Sequence, residues 1–175
     1  NKVSLYANLN GGFRNSFQDL NINRYYKNDQ NIRTSSFSQN SFIVKDGQSG
    51  NVKLGLDYFV SDKTTLGFSA KGLLSNAGDQ TDNTAFVRNA ENKALNRVLA
   101  DNNTKNTFNN GTFNVYLKHL LDTIGSTIII DADYVKYKSG SDQLFNNFIY
   151  DNANVLTYDD IINGEIPSEI NIYAA

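Results

Sequence analysis

In several stretches of about ten residues every second side chain is apolar, a period that belongs to strands and not to helices. Over 51–60, Val52, Leu54, Leu56, Tyr58 and Val60 share one face, against Asn51, Lys53, Gly55, Asp57 and Phe59. After the polar turn Ser61–Thr64 the pattern resumes, with Leu66, Phe68, Ala70, Gly72 and Leu74 opposite Thr65, Gly67, Ser69 and Lys71. Two alternating runs joined by a short turn predict a β-hairpin. A second hairpin sets Phe113, Val115, Leu117, His119 and Leu121 against Ile128, Ile130, Ala132 and Tyr134, with its turn at Asp122-Thr123-Ile124-Gly125. Val3, Leu5, Ala7 and Leu9 form a further strand near the N-terminus, and Ile170, Ile172 and Ala174 begin another. The expectation is an all-β chain of about six antiparallel strands in meander order.

Between these runs lie three polar segments, roughly 14–50, 77–108 and 138–168, which read as long loops. Parts of them, Leu20–Tyr26 and Leu144–Tyr150, have the pattern of strands continued beyond the core runs. One stretch, Arg88–Leu99, carries helical spacing through Ala90, Ala94, Leu95, Val98 and Leu99, weakened by Asn89, Asn92 and Asn96. Long loops alternating with turns of about four residues are the layout of an outer-membrane barrel, and a tilted spanning strand needs about 9–11 residues.

Composition narrows the classes. The longest apolar run, Ile128–Ile130, is far short of a membrane helix, so a closed barrel is the route left across a bilayer. With no Cys, disulfides and thiolate chemistry are excluded, and the single His makes a histidine metal site improbable. A net charge of −2 offers no surface for nucleic acid.

Alternation alone does not separate a membrane barrel from a soluble β-sandwich. Three features favour the barrel: charges in mid-strand on the polar face, glycines inside strands (Gly55, Gly67, Gly72), and aromatics near strand ends (Tyr58, Phe59, Tyr134, Tyr137). On that reading Val52, Leu54, Leu56, Leu66, Phe68, Val115, Leu117, Ile128 and Ile130 face lipid, while Lys53, Asp57, Lys71, Asp131 and Asp133 line the lumen. The alternative is a soluble secreted β-sandwich acting as a carbohydrate-binding or adhesive module.

The hairpin Asn51–Phe59 and Asp62–Phe68 resembles the outer-membrane β-barrel domain of the TonB-dependent-receptor-like family of Bacteroidetes type. So do Phe113–His119, Ile130–Tyr134, Asp142–Asn147 and Pro167–Tyr173. The resemblance implies that residues 1–175 are an internal fragment of barrel wall, in the outer membrane, in a protein for nutrient or ligand uptake. Its partners would be membrane lipid, the remaining strands and plug of the parent and, through that parent, TonB. An isolated arc would self-associate through its open sheet edges.

No catalytic, cofactor-binding or metal residue is assigned, and no enzymatic role is expected. Asp131 and Asp133 stand about 7 Å apart on one strand face, and pairing with a neighbouring Lys explains them better than a cation site. Asp79–Asn83, Asp151–Asn154 and Tyr158–Asp160 read as polar loop, since the first lacks the glycine and terminal glutamate of a calcium loop. His119 reads as an interfacial side chain, Gly11-Gly12 as a bend or bulge. Aromatics among the asparagines (Tyr25, Tyr26, Phe37, Phe42, Phe145, Phe148) fit stacking on sugars and loop packing equally well.

Overall fold

The structure is a computed structural model that describes residues 2–122 and 124–175. Six strands form one antiparallel sheet in the order β1-β2-β3-β4-β5-β6. They are β1 (Val3–Lys27), β2 (Arg33–Ser61), β3 (Thr64–Asn89), β4 (Ala94–Leu120), β5 (Thr127–Tyr150) and β6 (Leu156–Ala174). The meander is the expected one, and β1 and β6 remain as open edges.

The strands are much longer than alternation alone suggested. β1 to β5 run for 24–29 residues, about 80–100 Å at strand rise. The three segments expected as long loops are strand for most of their length, and their aromatics Tyr25, Tyr26, Phe37, Phe42, Phe145 and Phe148 sit in the sheet. The helix expected over Arg88–Leu99 is instead a turn followed by the start of β4. Asparagine and threonine side chains satisfy neither a core nor a helix, yet two ladder partners let each backbone pair fully, and pairing decides the matter.

The turns explain how these strands reverse. At the upper end, Asn28–Ile32, Asn89–Lys93 and Asp151–Val155 share one plan. In each, the first residue exchanges backbone hydrogen bonds with the fourth and fifth. Its side-chain oxygen also accepts from the fifth amide, Ile32, Lys93 or Val155, at 2.8–2.9 Å. The fourth residue, Asn31, Asn92 or Asn154, has φ of 62°, 67° and 63°. A type I turn followed by a left-handed residue matches strand twist, and asparagine tolerates that region better than other non-glycine residues. A bulge follows each turn, with register shifts at Tyr26/Lys27, Val87/Arg88 and Ile149/Tyr150. At the lower end Asp62-Lys63 closes one hairpin. The turn expected at Asp122–Gly125 includes Thr123, which lies outside the described residues. Around it, Asp122 Oδ1 accepts from the Ile124 and Ser126 amides at 2.9 and 3.0 Å, and Gly125 takes φ 106°.

Among the described residues the sheet has no second layer, and only Ser36, Ser41, Gly67 and Ala85 are buried. Stability from a packed core is therefore missing, and whatever covers the apolar side chains lies outside these six strands.

Candidate functional site

The register aligns the alternating runs, and the two faces of the sheet's lower half diverge. Three successive rungs carry Val3, Tyr58, Leu66, Leu117 and Ile130; then Leu5, Leu56, Phe68, Val115 and Ala132; then Ala7, Leu54, Ala70, Phe113, Tyr134 and Tyr173. All sixteen point to what we term the Leu54 face. The nine apolar positions singled out from sequence fall on this face, and Val52 and Ile128 border the block. Among the described residues nothing covers it: Leu5, Leu54, Phe113 and Ile130 are exposed.

The upper limit of this apolar zone runs obliquely across the sheet. On β1 it reaches Phe13, opposite Gln48; on β5 it stops at Tyr134, in the rung of Leu54, six residues further along β2. Six residues of strand are about 20 Å and four interstrand spacings about 19 Å, a slope near 45°. Above the limit the same face turns mixed: it is polar in the rung Asn15, Asp46, Gly78, Lys105, Asp142 and Glu165, but carries the Phe17–Phe42 pair with Val44, then Leu144, and further up Phe86, Leu99 and Phe148.

The opposite, Lys53 face is polar over the same rungs. It carries Ser4, Asp57, Gly67, Tyr116 and Asp131, then Tyr6, Gly55, Ser69, Asn114 and Asp133, then Asn8, Lys53, Lys71, Thr112 and Val135. Two glycines here have a packing reason. Tyr6 lies flat over Gly55 and Tyr116 over Gly67, each directly cross-strand, and a Cβ on either glycine would fall within the ring. The Tyr116 hydroxyl thereby crosses β3 and donates to Asp57 Oδ1 at 2.9 Å.

The expected ion pairing of Asp131 and Asp133 is replaced by an amide bridge. Asn114 Nδ2 donates to Asp131 Oδ1 at 2.6 Å and to Asp133 Oδ1 at 2.9 Å. Lys53 and Lys71 instead face each other across β2 and β3, and the Lys53 ammonium lies 5.5 Å from the Tyr6 ring centre. Like charges directly opposite cost stability, so the lysines and carboxylates are segregated rather than matched. The one ion pair among the described residues, Lys136–Glu169 at 2.6 Å, lies just above the apolar zone. His119 sits at the lower edge, its Nδ1 2.9 Å from Thr64 Oγ1 on the facing strand.

β6 departs from the plan. Its Ile162, Ile166, Ile170 and Ile172 point to the Lys53 face, and only Tyr173 joins the apolar block, stacking on Tyr134 at 5.0 Å. Sequence reasoning missed the tyrosine–glycine seats because the partners are 49 residues apart in each case and only register brings them together. Sequence reasoning also missed the upper turns: an Asn or Asp followed three residues later by Asn recurs at 28, 89 and 151, but the same pattern at 103, 106 and 160 falls within strands.

No three His, Asp or Glu side chains among the described residues are grouped to hold a metal ion, and no helix is long and apolar enough to cross a membrane, which says nothing of strands. No protein-family model and no curated protein matches the chain.

Proposed function

We propose that this sheet is an arc of wall from an outer-membrane β-barrel of the TonB-dependent-receptor-like type, serving ligand uptake and not catalysis. One observation carries the reading: an uncovered apolar zone on one face, backed by a polar face, with an upper limit inclined to the rungs by about the 35–45° tilt of membrane barrel strands. In that setting the Leu54 face meets lipid, and the Lys53 face lines an aqueous lumen where segregated charges stay hydrated. The two short lower turns lie at the membrane surface. The three upper turns stand far beyond it, on strands that need no separate loops. Six strands are fewer than the eight that leave room for side chains inside a barrel, so further strands meet the edges of β1 and β6.

The chain contains no cysteine, so single cysteines report cleanly. In outer membranes carrying the protein within its natural flanking sequence, Cys at Leu56, Phe68 or Val115 should resist a water-soluble thiol reagent and quench with a lipid-borne probe. Cys at Asp57, Ser69 or Asn114 should label from water. Equal labelling of both sets, with extraction that needs no detergent, would favour the secreted β-sandwich and end the barrel reading.

A further inference from the structure

The upper end of the Leu54 face carries a band that the wall reading does not use. Arg33, Arg88 and Arg97 lie there on three adjacent strands, β2, β3 and β4. Each guanidinium rests on an aromatic ring: Arg33 over Tyr25 at 5.0 Å, Arg88 over Phe86 at 4.7 Å, Arg97 over Tyr150 at 4.5 Å. The rungs bring these rings and heads together, since Phe86 stands opposite Arg97 and Arg97 opposite Tyr150. The bulge at Thr34 sets Arg33 opposite Lys27, so that its side chain meets Tyr25 and Ser36 on the same face.

Two of the heads are also held by hydroxyls. Arg33 Nη2 donates to Ser36 Oγ at 2.7 Å and to Asn92 Oδ1 at 3.2 Å, and Arg88 Nη1 donates to Ser38 Oγ at 2.6 Å. Among the described residues none of the three has a carboxylate within 4.0 Å, although Asp29, Glu91 and Asp151 lie in the neighbouring turns. Arginine at such density is ordinarily neutralised. Here neutral partners hold the Arg33 and Arg88 heads in place, and Arg33 Nε and Arg97 Nε are buried without a hydrogen-bond partner.

We propose that this arginine–aromatic band binds a ligand carrying successive phosphate groups. Guanidinium forks match phosphate oxygens in pairs, and stacking on rings fixes the heads before the ligand arrives, which lowers the ordering cost. Three adjacent strands span about 10 Å, wide for one phosphate and suited to two or three in series. The site stands apart from the apolar zone, so it does not depend on the membrane reading.

The test is calorimetric titration of the full chain, in the detergent or buffer that keeps it monodisperse, with inorganic tripolyphosphate at 0.15 M salt. Saturable binding is expected, with inorganic monophosphate weaker. Arg88→Gln and Arg97→Gln should each weaken it about tenfold, and Arg88→Lys, which keeps charge but loses the fork, should weaken it nearly as much. Arg14→Gln, on the Lys53 face, should leave it unchanged, and unaltered circular dichroism checks that each variant keeps its sheet. Absent binding, or a loss with Arg14→Gln equal to that with Arg88→Gln, overturns the proposal. Full retention by Arg88→Lys overturns the fork geometry and with it the site.

Discussion

The hydroxyl of Tyr116 on β4 reaches Asp57 on β2 at 2.9 Å by lying across Gly67 of the strand between. Three strands are thus tied at one rung by a single side chain, and the absence of a Cβ on β3 is the condition for it. Gly67→Ala should lift the ring and break the bond. Its effect and that of Tyr116→Phe should be less than additive, each alone costing about 1 kcal/mol. Urea unfolding of the two single variants and the double variant measures the coupling, and strict additivity would show that ring and glycine act separately.

Charge on the two faces should have unequal consequences. On the proposed barrel reading Phe68→Arg, in the middle rung of the apolar block, should destabilise the protein in lipid by about 2–4 kcal/mol. Ser69→Arg, one residue on and on the Lys53 face, should cost under about 1 kcal/mol. Equilibrium folding into lipid vesicles compares them, and similar costs would contradict a lipid-facing Leu54 face.

The left-handed asparagines of the upper turns permit a signed test. Asn92→Gly should be neutral or slightly stabilising, because glycine adopts φ near 67° without strain. Asn92→Val should cost about 1–2 kcal/mol, since a β-branched residue is poorly tolerated there. Thermal melting of the paired variants, repeated at Asn31 and Asn154, reads the difference.

At the lower turn the Ser126 side chain, followed by the amides of Ser126 and Ile124, holds the Asp122 carboxyl below its usual range. The folded turn thus prefers the ionised form. Its contribution is fully present above the ordinary aspartate value of about 3.9 and fades as pH falls through the lower folded value. Hydrogen exchange at the Ile124 and Ser126 amides should accelerate relative to neighbouring strands on acidification, and Asp122→Asn should remove that pH-dependent component.

How much of this was open to a reader of the chain differs by element. The runs at Val52–Val60, Leu66–Leu74, Phe113–Leu121 and Ile128–Tyr134 were legible because burial on one face imposes a period of two. The strands through Asn102–Asn110 and Ser35–Gly50 were not, because polar residues with weak strand preference carry no such period. Their backbone groups pair with neighbours that are already extended, and the ladder overrides local preference.

The chain by itself determined the strand class, the meander and the division of each core run into an apolar and a polar side, since these depend only on neighbours in sequence. Register was decided by the tertiary structure alone, and a slip of one residue would turn any strand over. It put five apolar runs on one face and turned Ile162, Ile166, Ile170 and Ile172 of β6 to the other. It also seated Tyr6 and Tyr116 on their glycines, replaced lysine by Asn114 as the partner of Asp131 and Asp133, and gathered three distant arginines onto one rim. Each of those contacts joins residues whose separation along the chain is set by turn position and bulges, quantities that no local pattern encodes.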